Sequence, residues 1–546
     1  MERYLPHLIR GAEQRTRDFL TAQVCDPASP LDGGVRGEIW EAKPTVYALA
    51  TAMACYLHPQ SALYRQEALL RAMERAVRFV ARTQRENGSF DYPSCNFYSA
   101  PDTSFCFKRL IAAYRLMTGW GKDCAELEPL RALYRELLHR ALFGIRDGGF
   151  HTPNHRWAIA AALMQGANLF REEEDFAESL RARAAQYLAE GIDGDEDGEY
   201  AERSSGNYNA VVNNSMLALW QETGDDAYLG YVRRNLQMML TYIDPDGLVF
   251  TQNSTRQDLG RRDRPDRYFY QYLAVCSCEE NAAFDAAAHK IIADNQARGD
   301  LAPDCLHILM NHPELLAHRF TGCGYLPQYR RFYPHSHVLR VCRPDFTYTV
   351  LGGKSDFLYV KRGSLMVCLK LGESYCDIRN FIPTQMEELP DGCRLTGTAQ
   401  GWYYLPWREP PETSDWWEMD HTKREKLVSS TLATEVTIRE EEHGLAVTVR
   451  TEGLDRLPLR AELCLPAGVT LSHEAFQMKG EAGGELILRG GWLRLRSGAD
   501  ALSFGPGFGE HEFRGHYSGE EKNTAGFTVC CNAYTPVERT LYLRAD

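Results

Sequence analysis

The stretch Asp197-Gly198-Glu199-Tyr200-Ala201-Glu202-Arg203-Ser204-Ser205-Gly206-Asn207-Tyr208-Asn209 opens on a turn and runs on through Met216-Leu217-Ala218-Leu219-Trp220, the apolar body of a helix. Glycine after Asp or Asn takes the backbone conformations that tight turns need. The same signature, usually with an aromatic close behind, recurs at Asp32-Gly33, Asn87-Gly88-Ser89-Phe90, Asp147-Gly148-Gly149-Phe150 and Asp246-Gly247-Leu248-Val249-Phe250. The steps between the glycines are 55, 60, 50 and 49 residues. Each step has room for about two helices and their loops. A period of this size marks stacked supersecondary units. Helical hairpins repeated in this way build either an open solenoid or a closed α/α toroid, and in a toroid the repeating turns gather at one end, where the cleft lies.

The residues between the turns agree. Leu63, Leu70, Met73, Val77 and Val80 predict a helix within Ser61–Gln84, and Trp157–Phe170, Phe176–Leu188, Ser215–Glu222 and Ala227–Tyr242 repeat an apolar face with charges opposite. Near residue 320 the period changes to two. Thr321-Gly322-Cys323-Gly324 and Pro327 mark a boundary. Beyond it, Phe346/Tyr348/Val350, Val436/Ile438, Leu445/Val447/Val449, Leu459/Ala461/Leu463/Leu465, Leu486/Leu488, Leu493/Leu495 and Leu541/Leu543 alternate with polar residues between Gly, Asp and Pro turns. That pattern predicts an antiparallel β-sandwich. The chain therefore reads as a multidomain α + β protein, with helical hairpins over 1–325 and an antiparallel β-sandwich over 326–546. Ile382–Lys426 looks less regular, a bridge between sheets or a long loop.

A chain of 546 residues with 44% hydrophobic and 25% charged residues can bury a large core. A net charge of −13 argues against a general nucleic-acid or anionic-membrane surface. The 16 cysteines are scattered without a CxxC, so they read as reduced thiols. The N-terminal Met-Glu-Arg-Tyr-Leu-Pro-His-Leu-Ile-Arg lacks the apolar core of a secretion signal, and there is no run of about 18 apolar residues to span a bilayer. The expected location is cytoplasmic. A homodimer is compatible with this sequence, which specifies no oligomeric state.

Three stretches carry candidate chemistry. His151-Thr152-Pro153-Asn154-His155-Arg156 precedes a helix that Thr152 or Asn154 could cap, and whose N-terminus favours a carboxylate ligand. Glu202, Arg203, Asn207 and Tyr208 crowd one loop with more donors and acceptors than a turn requires. A phenol ordinarily titrates near pH 10, at about that value, so at neutral pH it donates; as a base it needs a nearby cation, which Arg203, Arg156 or a histidine could supply. Arg330-Arg331-Phe332-Tyr333-Pro334-His335-Ser336-His337 opens the sandwich. In a strand, His335 and His337 share a face and could both point at a cleft or ligate zinc or calcium with Cys342 as a third ligand; a plain sheet-surface pair is the alternative. Asp102, near the start of another helix, could cap it or hold a sugar hydroxyl. Trp402, Tyr403, Tyr404, Trp407, Trp416 and Trp417 offer faces for sugar rings or for sheet packing. No P-loop, dinucleotide fingerprint, HExxH or GxSxG is present.

With these stretches in place the chain resembles the heparinase II/III-like polysaccharide lyases and their alginate-lyase relatives. Asn154-His155 is similar to their Asn-His pair ahead of a toroid helix. Glu202-Arg203-Ser204 with Tyr208 is similar to their Glu-x-Ser followed by Tyr, and His335 or His337 to a histidine from their first sandwich strands. The departure is Asn209, which follows the tyrosine where a histidine is expected. The resemblance implies an α/α toroid joined to an antiparallel β-sandwich, acting on an acidic oligosaccharide or polysaccharide by β-elimination at a uronic acid. It further implies that Asn154, with Arg156 or a histidine, neutralises the C5 carboxylate; that Tyr208, His155 or a sandwich histidine takes the C5 proton; and that Tyr208 protonates the leaving O4. No cofactor is required. Two other readings stand beside it: a glycoside hydrolase of the glucuronidase or unsaturated glucuronyl type using Glu202, Asp102 or Glu199, and a glycan-binding protein without catalysis.

Overall fold

A computed structural model describes residues 1–546 except 323, 326, 327, 514, 515, 517, 518 and 546. Of the residues expected to mark the boundary, Cys323 and Pro327 lie outside the described set. The chain divides into two compact units, Met1–Leu326 and Pro327–Asp546.

The first unit is helical: α1 (Leu5–Ala22), α2 (Lys43–Leu57), α3 (Glu67–Thr83), α4 (Ala100–Thr118), α5 (Glu128–Asp147), α6 (Pro153–Leu169), α7 (Glu174–Leu188), α8 (Tyr208–Thr223), α9 (Asp226–Tyr242), α10 (Phe269–Cys276), α11 (Ala282–Arg298), α12 (Leu306–Asn311) and α13 (Pro313–Leu316). The even-numbered helices α2 to α10 pack on one another in sequence; α13 meets α10, and α12 returns to α2 and α4. They form the inner wall of an α/α toroid. The odd-numbered helices α1 to α11 pack outside them. Composition explains the sorting. Helix α3 buries one stripe, Leu69, Leu70, Met73, Ala76, Val77, Phe79 and Val80, as a surface helix does, whereas α2 buries every residue from Leu49 to Leu57. Helix α3 begins at Glu67, later than the expected Ser61, because residues 61–66 are taken up by turns.

Each Asp/Asn-Gly turn joins the C-terminus of an outer helix to the N-terminus of an inner one. Gly33, Gly88 and Gly198 have φ of 90°, 90° and 101°, and a Cβ there would strike the carbonyls of Arg75, Arg140 and Arg234 on the next outer helix. Gln23 and Gln84 clamp two of these turns, their amides donating to the carbonyls of Gly33 (3.0 Å) and Gly88 (2.8 Å). Gly148 departs from the pattern: it ends α5 at φ −89°.

Among its described residues the second unit is a sandwich of two nine-stranded sheets. One runs Glu485–Ile487, Gly526–Tyr534, Pro458–Pro466, Leu365–Tyr375, Leu358–Arg362, Thr347–Leu351, Val338–Cys342, Tyr329–Tyr333, with Ile378–Asn380 paired to Leu365–Tyr375. The other is centred on Gly392–Tyr404, Lys426–Glu441, Gly444–Glu452 and Glu538–Ala545. Pairings are antiparallel except Glu485–Ile487 with Gly526–Tyr534, which is parallel. Val436, Ile438, Leu445, Val447, Val449, Leu459, Leu463, Leu493, Leu495 and Leu541 line the shared core, as the period of two requires.

Two expectations are corrected here. Ile382–Lys426 is regular in its first half, which holds strands Gln385–Leu389 and Gly392–Tyr404, while 405–425 is irregular as expected apart from a single 3-10 turn at His421–Lys423. The second strand escapes notice because several inward residues are small, Gly397 and Gly401 leaving room for Phe381 and Tyr375. His335 and His337 are not in a strand. Tyr333 pairs with Val338, and residues 334–337 form the turn between the two strands, with His337 at φ 54°. Pro334 has no N–H to extend the ladder, so the alternation that would have aligned both rings is lost. Among the described residues no three His, Cys, Asp or Glu side chains converge as a metal site would need. No described helix is long and apolar enough to cross a membrane.

Candidate active site

Because every outer-to-inner connection lies at one end of the toroid, the N-termini of α2, α4, α6 and α8 meet there with their partial positive charges. Helix α6 begins at Pro153, and neither Thr152 nor Asn154 caps it through its side chain. Asn154 turns inward instead and is fully buried. Its Nδ2 donates to Glu202 Oε2 at 2.7 Å and to Thr152 Oγ1 at 3.0 Å. Glu202, 5% exposed, faces Arg256 Nε across 3.2 Å. The Arg256 guanidinium in turn lies 4.9 Å over the Tyr208 ring. The Tyr208 hydroxyl donates to Gln257 Oε1 at 3.3 Å. Asn154, Glu202, Arg256 and Tyr208 thus form one connected chain whose successive contacts join residues 48 to 54 apart in sequence.

Further hydrogen bonds hold that chain in place. Asp258, buried, accepts from Ser204 Oγ (2.7 Å), Ser254 Oγ (2.6 Å) and the Gly206 N–H (2.9 Å). A Cβ at Gly206 would press on Asp258 and Asp263. Thr255 Oγ1 donates to the Glu202 carbonyl at 2.9 Å. The loop carrying Arg256 is thereby stapled to the loop carrying Glu202, and Ser204 Oγ also accepts from the Tyr208 N–H at 2.9 Å, fixing the start of α8. Behind them Glu199, buried, accepts from Asn209 Nδ2 (3.2 Å), Tyr242 OH (3.2 Å) and Asn253 Nδ2 (3.1 Å). Burial pushes its carboxyl up to about 7.

On the other side of Asn154, the His155 ring meets Phe105 edge-on at 5.9 Å. Burial, with His151, Arg256 and Lys43 nearby, lowers His155 to about 4 against the opposing pull of Asp102, so the imidazole is neutral at pH 7. The His151 N–H approaches its Nδ1 at 3.4 Å. A neutral ring that accepts at Nδ1 carries its proton on Nε2 and is a donor there. Asp102 does not cap α4; Ser99 does, accepting from the Asp102 N–H. The Asp102 carboxylate takes Lys43 Nζ at 3.0 Å and Ser99 Oγ at 2.7 Å. Burial pushes Asp102 up, but Lys43, Ser99 and Asn96 outweigh it and hold the carboxyl below its ordinary range. Burial also disfavours the Lys43 ammonium, and Asp102 overrides that, holding it at about 12.

Not every expected residue joins this group. Arg156 turns away: its guanidinium stacks on Trp157 at 4.3 Å, donates to the Gly191 carbonyl at 3.0 Å and faces Glu190 and Asp193 beyond the end of α7. A helix side chain one place along from His155 is rotated about 100° around the axis, which carries it to the outer layer. Arg203 has φ 49° and exerts its charge on Glu199. Asn207 Oδ1 accepts from Arg267 at 2.6 Å. His335 and His337 belong to the second unit. Arg256 and Lys43 are functional candidates that pattern reading missed. Arg256 had one available signal: it follows Asp246-Gly247 as Arg203 follows Asp197-Gly198, at the same connection of the next hairpin. Trp40 and Phe150, on the loops entering α2 and α6, and Phe97, on the short strand Asn96–Ser99 ahead of α4, also stand exposed.

Neither family models nor curated proteins match this sequence. Solved structures do. Xanthan lyase of Paenibacillus superposes with a TM-score of 0.60 at 10% identity, over 99% of this chain and 57% of that one. Chondroitin AC lyase of Streptomyces coelicolor A3, in complex with chondroitin sulphate, gives 0.55 at 12% identity over 100% and 80%. A mutant heparan sulfate lyase of Pedobacter heparinus gives 0.53 at 10% identity over 98% and 82%. This chain thus spans little more than half the length of the xanthan lyase. It has the heparinase-like polysaccharide lyase fold, an α/α toroid and a β-sandwich.

Proposed function

We propose that this protein is a polysaccharide lyase that cleaves uronic-acid-containing oligo- or polysaccharides by β-elimination at the inner-helix N-termini of its toroid. The observation that carries the reading is the Arg256 guanidinium placed between the Tyr208 ring and Glu202, with Glu202 anchored by Asn154. β-Elimination needs a group that removes the C5 proton, a donor for O4 and positive charge near the C5 carboxylate. Tyr208 supplies the first two: its phenolate takes the C5 proton, electrons move to break C4–O4, and the phenol returns a proton to O4. One side chain serves both steps where C5–H and O4 lie on the same face of the sugar. Arg256, over the Tyr208 ring, supplies positive charge beside the reacting groups, the preorganised electrostatics that commonly contributes most to rate. His155 presents an Nε2–H and suits binding to a hydroxyl or the carboxylate, not proton abstraction at pH 7.

The roles expected for Asn154 and Arg156 change accordingly. Asn154 is fully buried and spends its N–H groups on Glu202 and Thr152, so it positions Glu202. Arg156 faces away. Lys43 and Arg256, about one-quarter to one-third exposed at 30% and 26% of their side-chain surface, are the cations suited to neutralise the substrate carboxylate. The likeness in fold to lyases of xanthan, chondroitin and heparan sulfate supports an acidic glycan as substrate. Incubation with uronate oligosaccharides tests the reading: a lyase creates a 4,5-unsaturated uronate and near-ultraviolet absorbance rises. A fall would indicate a hydrolase of unsaturated ends, and a flat trace with measurable binding a glycan-binding protein.

A further inference from the structure

Farther down the toroid axis, the inner helices line a partly open pocket of about 90 Å³ that the proposed reaction does not use. Its walls come from α4, α6, α8, α10, α12 and α13. Lys108 lies six residues along α4 from Asp102, and Gln165 eleven along α6 from Asn154, which at about 1.5 Å per residue puts the cavity roughly 9–16 Å below the site described above. Most of the wall is apolar: Ile111, Leu217, Ala218, Ala274 and Leu315.

Among the described residues, Gln165 and Lys108 on that wall make no hydrogen bond or ion pair. Gln165 is 6% exposed, and its amide makes no hydrogen bond among the described residues. The Lys108 ammonium likewise has neither hydrogen bond nor ion pair among them, and its one charged neighbour of note is Arg109, of like sign. The other wall cation, Arg115, is already paired with Glu222 at 2.6 Å. An uncompensated ammonium withdrawn from bulk water is disfavoured, and Lys108, half-buried on the pocket wall, is accordingly pulled down to about 8 by desolvation. Next to it, Asn214 Oδ1 accepts from Gln271 at 2.6 Å, which leaves the Asn214 N–H groups for another acceptor.

We infer that this axial cavity binds a short-chain organic carboxylate, the carboxylate on Lys108 and Gln165 and the carbon chain on Ile111, Leu217 and Ala274. The wall chemistry selects the class: an apolar surface with few convergent polar groups suits an amphiphilic small molecule, and a lone ammonium beside amide donors suits a carboxylate. Size sets the limit, since a cavity of about 150 Å³ accommodates benzene; a chain of three or four carbons fits.

Isothermal titration of the full chain with butyrate tests this, with butanol and inorganic phosphate as comparison probes. Saturable butyrate binding in the millimolar range is expected, with butanol and phosphate at least tenfold weaker. Lys108→Met should weaken butyrate at least tenfold. Ala218→Leu, which fills the cavity and keeps the amine, should do the same, so the inference survives or falls even if one variant does not fold. Absence of saturable binding by the wild-type protein, equal binding of butanol, preference for phosphate, or unchanged affinity in folded Lys108→Met or Ala218→Leu would each overturn it.

Discussion

Arg256 shows what a single residue can hide in a sequence. Thr255-Arg256-Gln257 carries no turn signature, aromatic or apolar period, and its role depends on Glu202 and Tyr208, far away in the chain. Tyr208 stood out because a phenol among amides is poorly explained by packing; Asn154 stood out by its place before a helix, yet its burial was not legible. Substitutions separate these roles. Tyr208→Phe should lower kcat by about 10²–10⁴-fold, as loss of a general acid–base group does, while leaving substrate binding by calorimetry nearly intact; near-normal turnover would remove the phenol from the reaction. Arg256→Met should lower kcat by about 10²–10³-fold in the same absorbance assay. Glu199 has a different consequence. Its folded-state carboxyl titrates near 7, above the ordinary 4.5, so the native state holds a proton that the unfolded chain has released. Stability therefore falls as pH rises from about 4.5 to about 7 and levels off above. Glu199→Gln should flatten that decline by a few kcal/mol in urea unfolding measured across this range; an unchanged slope would mean that Glu199 is ionised throughout.

At the scale of elements, period and punctuation were enough wherever side chains were large. The helices of the repeat and the Leu/Val/Ile strands follow the expected faces. Pattern reading failed where the inward residues were small, as at Gly397 and Gly401 in Gly392–Tyr404, and where a proline converted an assumed strand into the His335–His337 turn. The repeating turns can be tested directly. Gly198→Ala places a Cβ against the Arg234 carbonyl at φ 101° and should cost about 1–3 kcal/mol of stability in urea unfolding. Gly191→Ala, at φ 76° with open space around it, should cost only the left-handed penalty of about 1 kcal/mol. Equal losses would mean that the turn–helix contact contributes nothing.

For the whole molecule, the scattered thiols read from the sequence as reduced, and among the described residues no two cysteines form a disulfide. Cys25, Cys95, Cys278 and Cys376 are exposed, whereas Cys55, Cys106, Cys305, Cys393, Cys530 and Cys531 are buried. Brief alkylation of the native protein followed by peptide mass analysis should therefore label the first group and spare the second until the chain is unfolded. The sequence by itself determined the two architectures, a toroid-type array of helical hairpins followed by a sandwich, because hydrophobic period and turn chemistry are local properties written every few residues. It also pointed to the end of the helical array where the turns collect. Only the tertiary structure decided which side chains meet there: that Asn154 anchors Glu202, that Arg156 faces outward, and that Arg256 and Lys43 bring the positive charge. Those outcomes depend on how successive hairpins rotate and close around a common axis, and that geometry arises from packing between segments about 50 residues apart, where no local pattern records it.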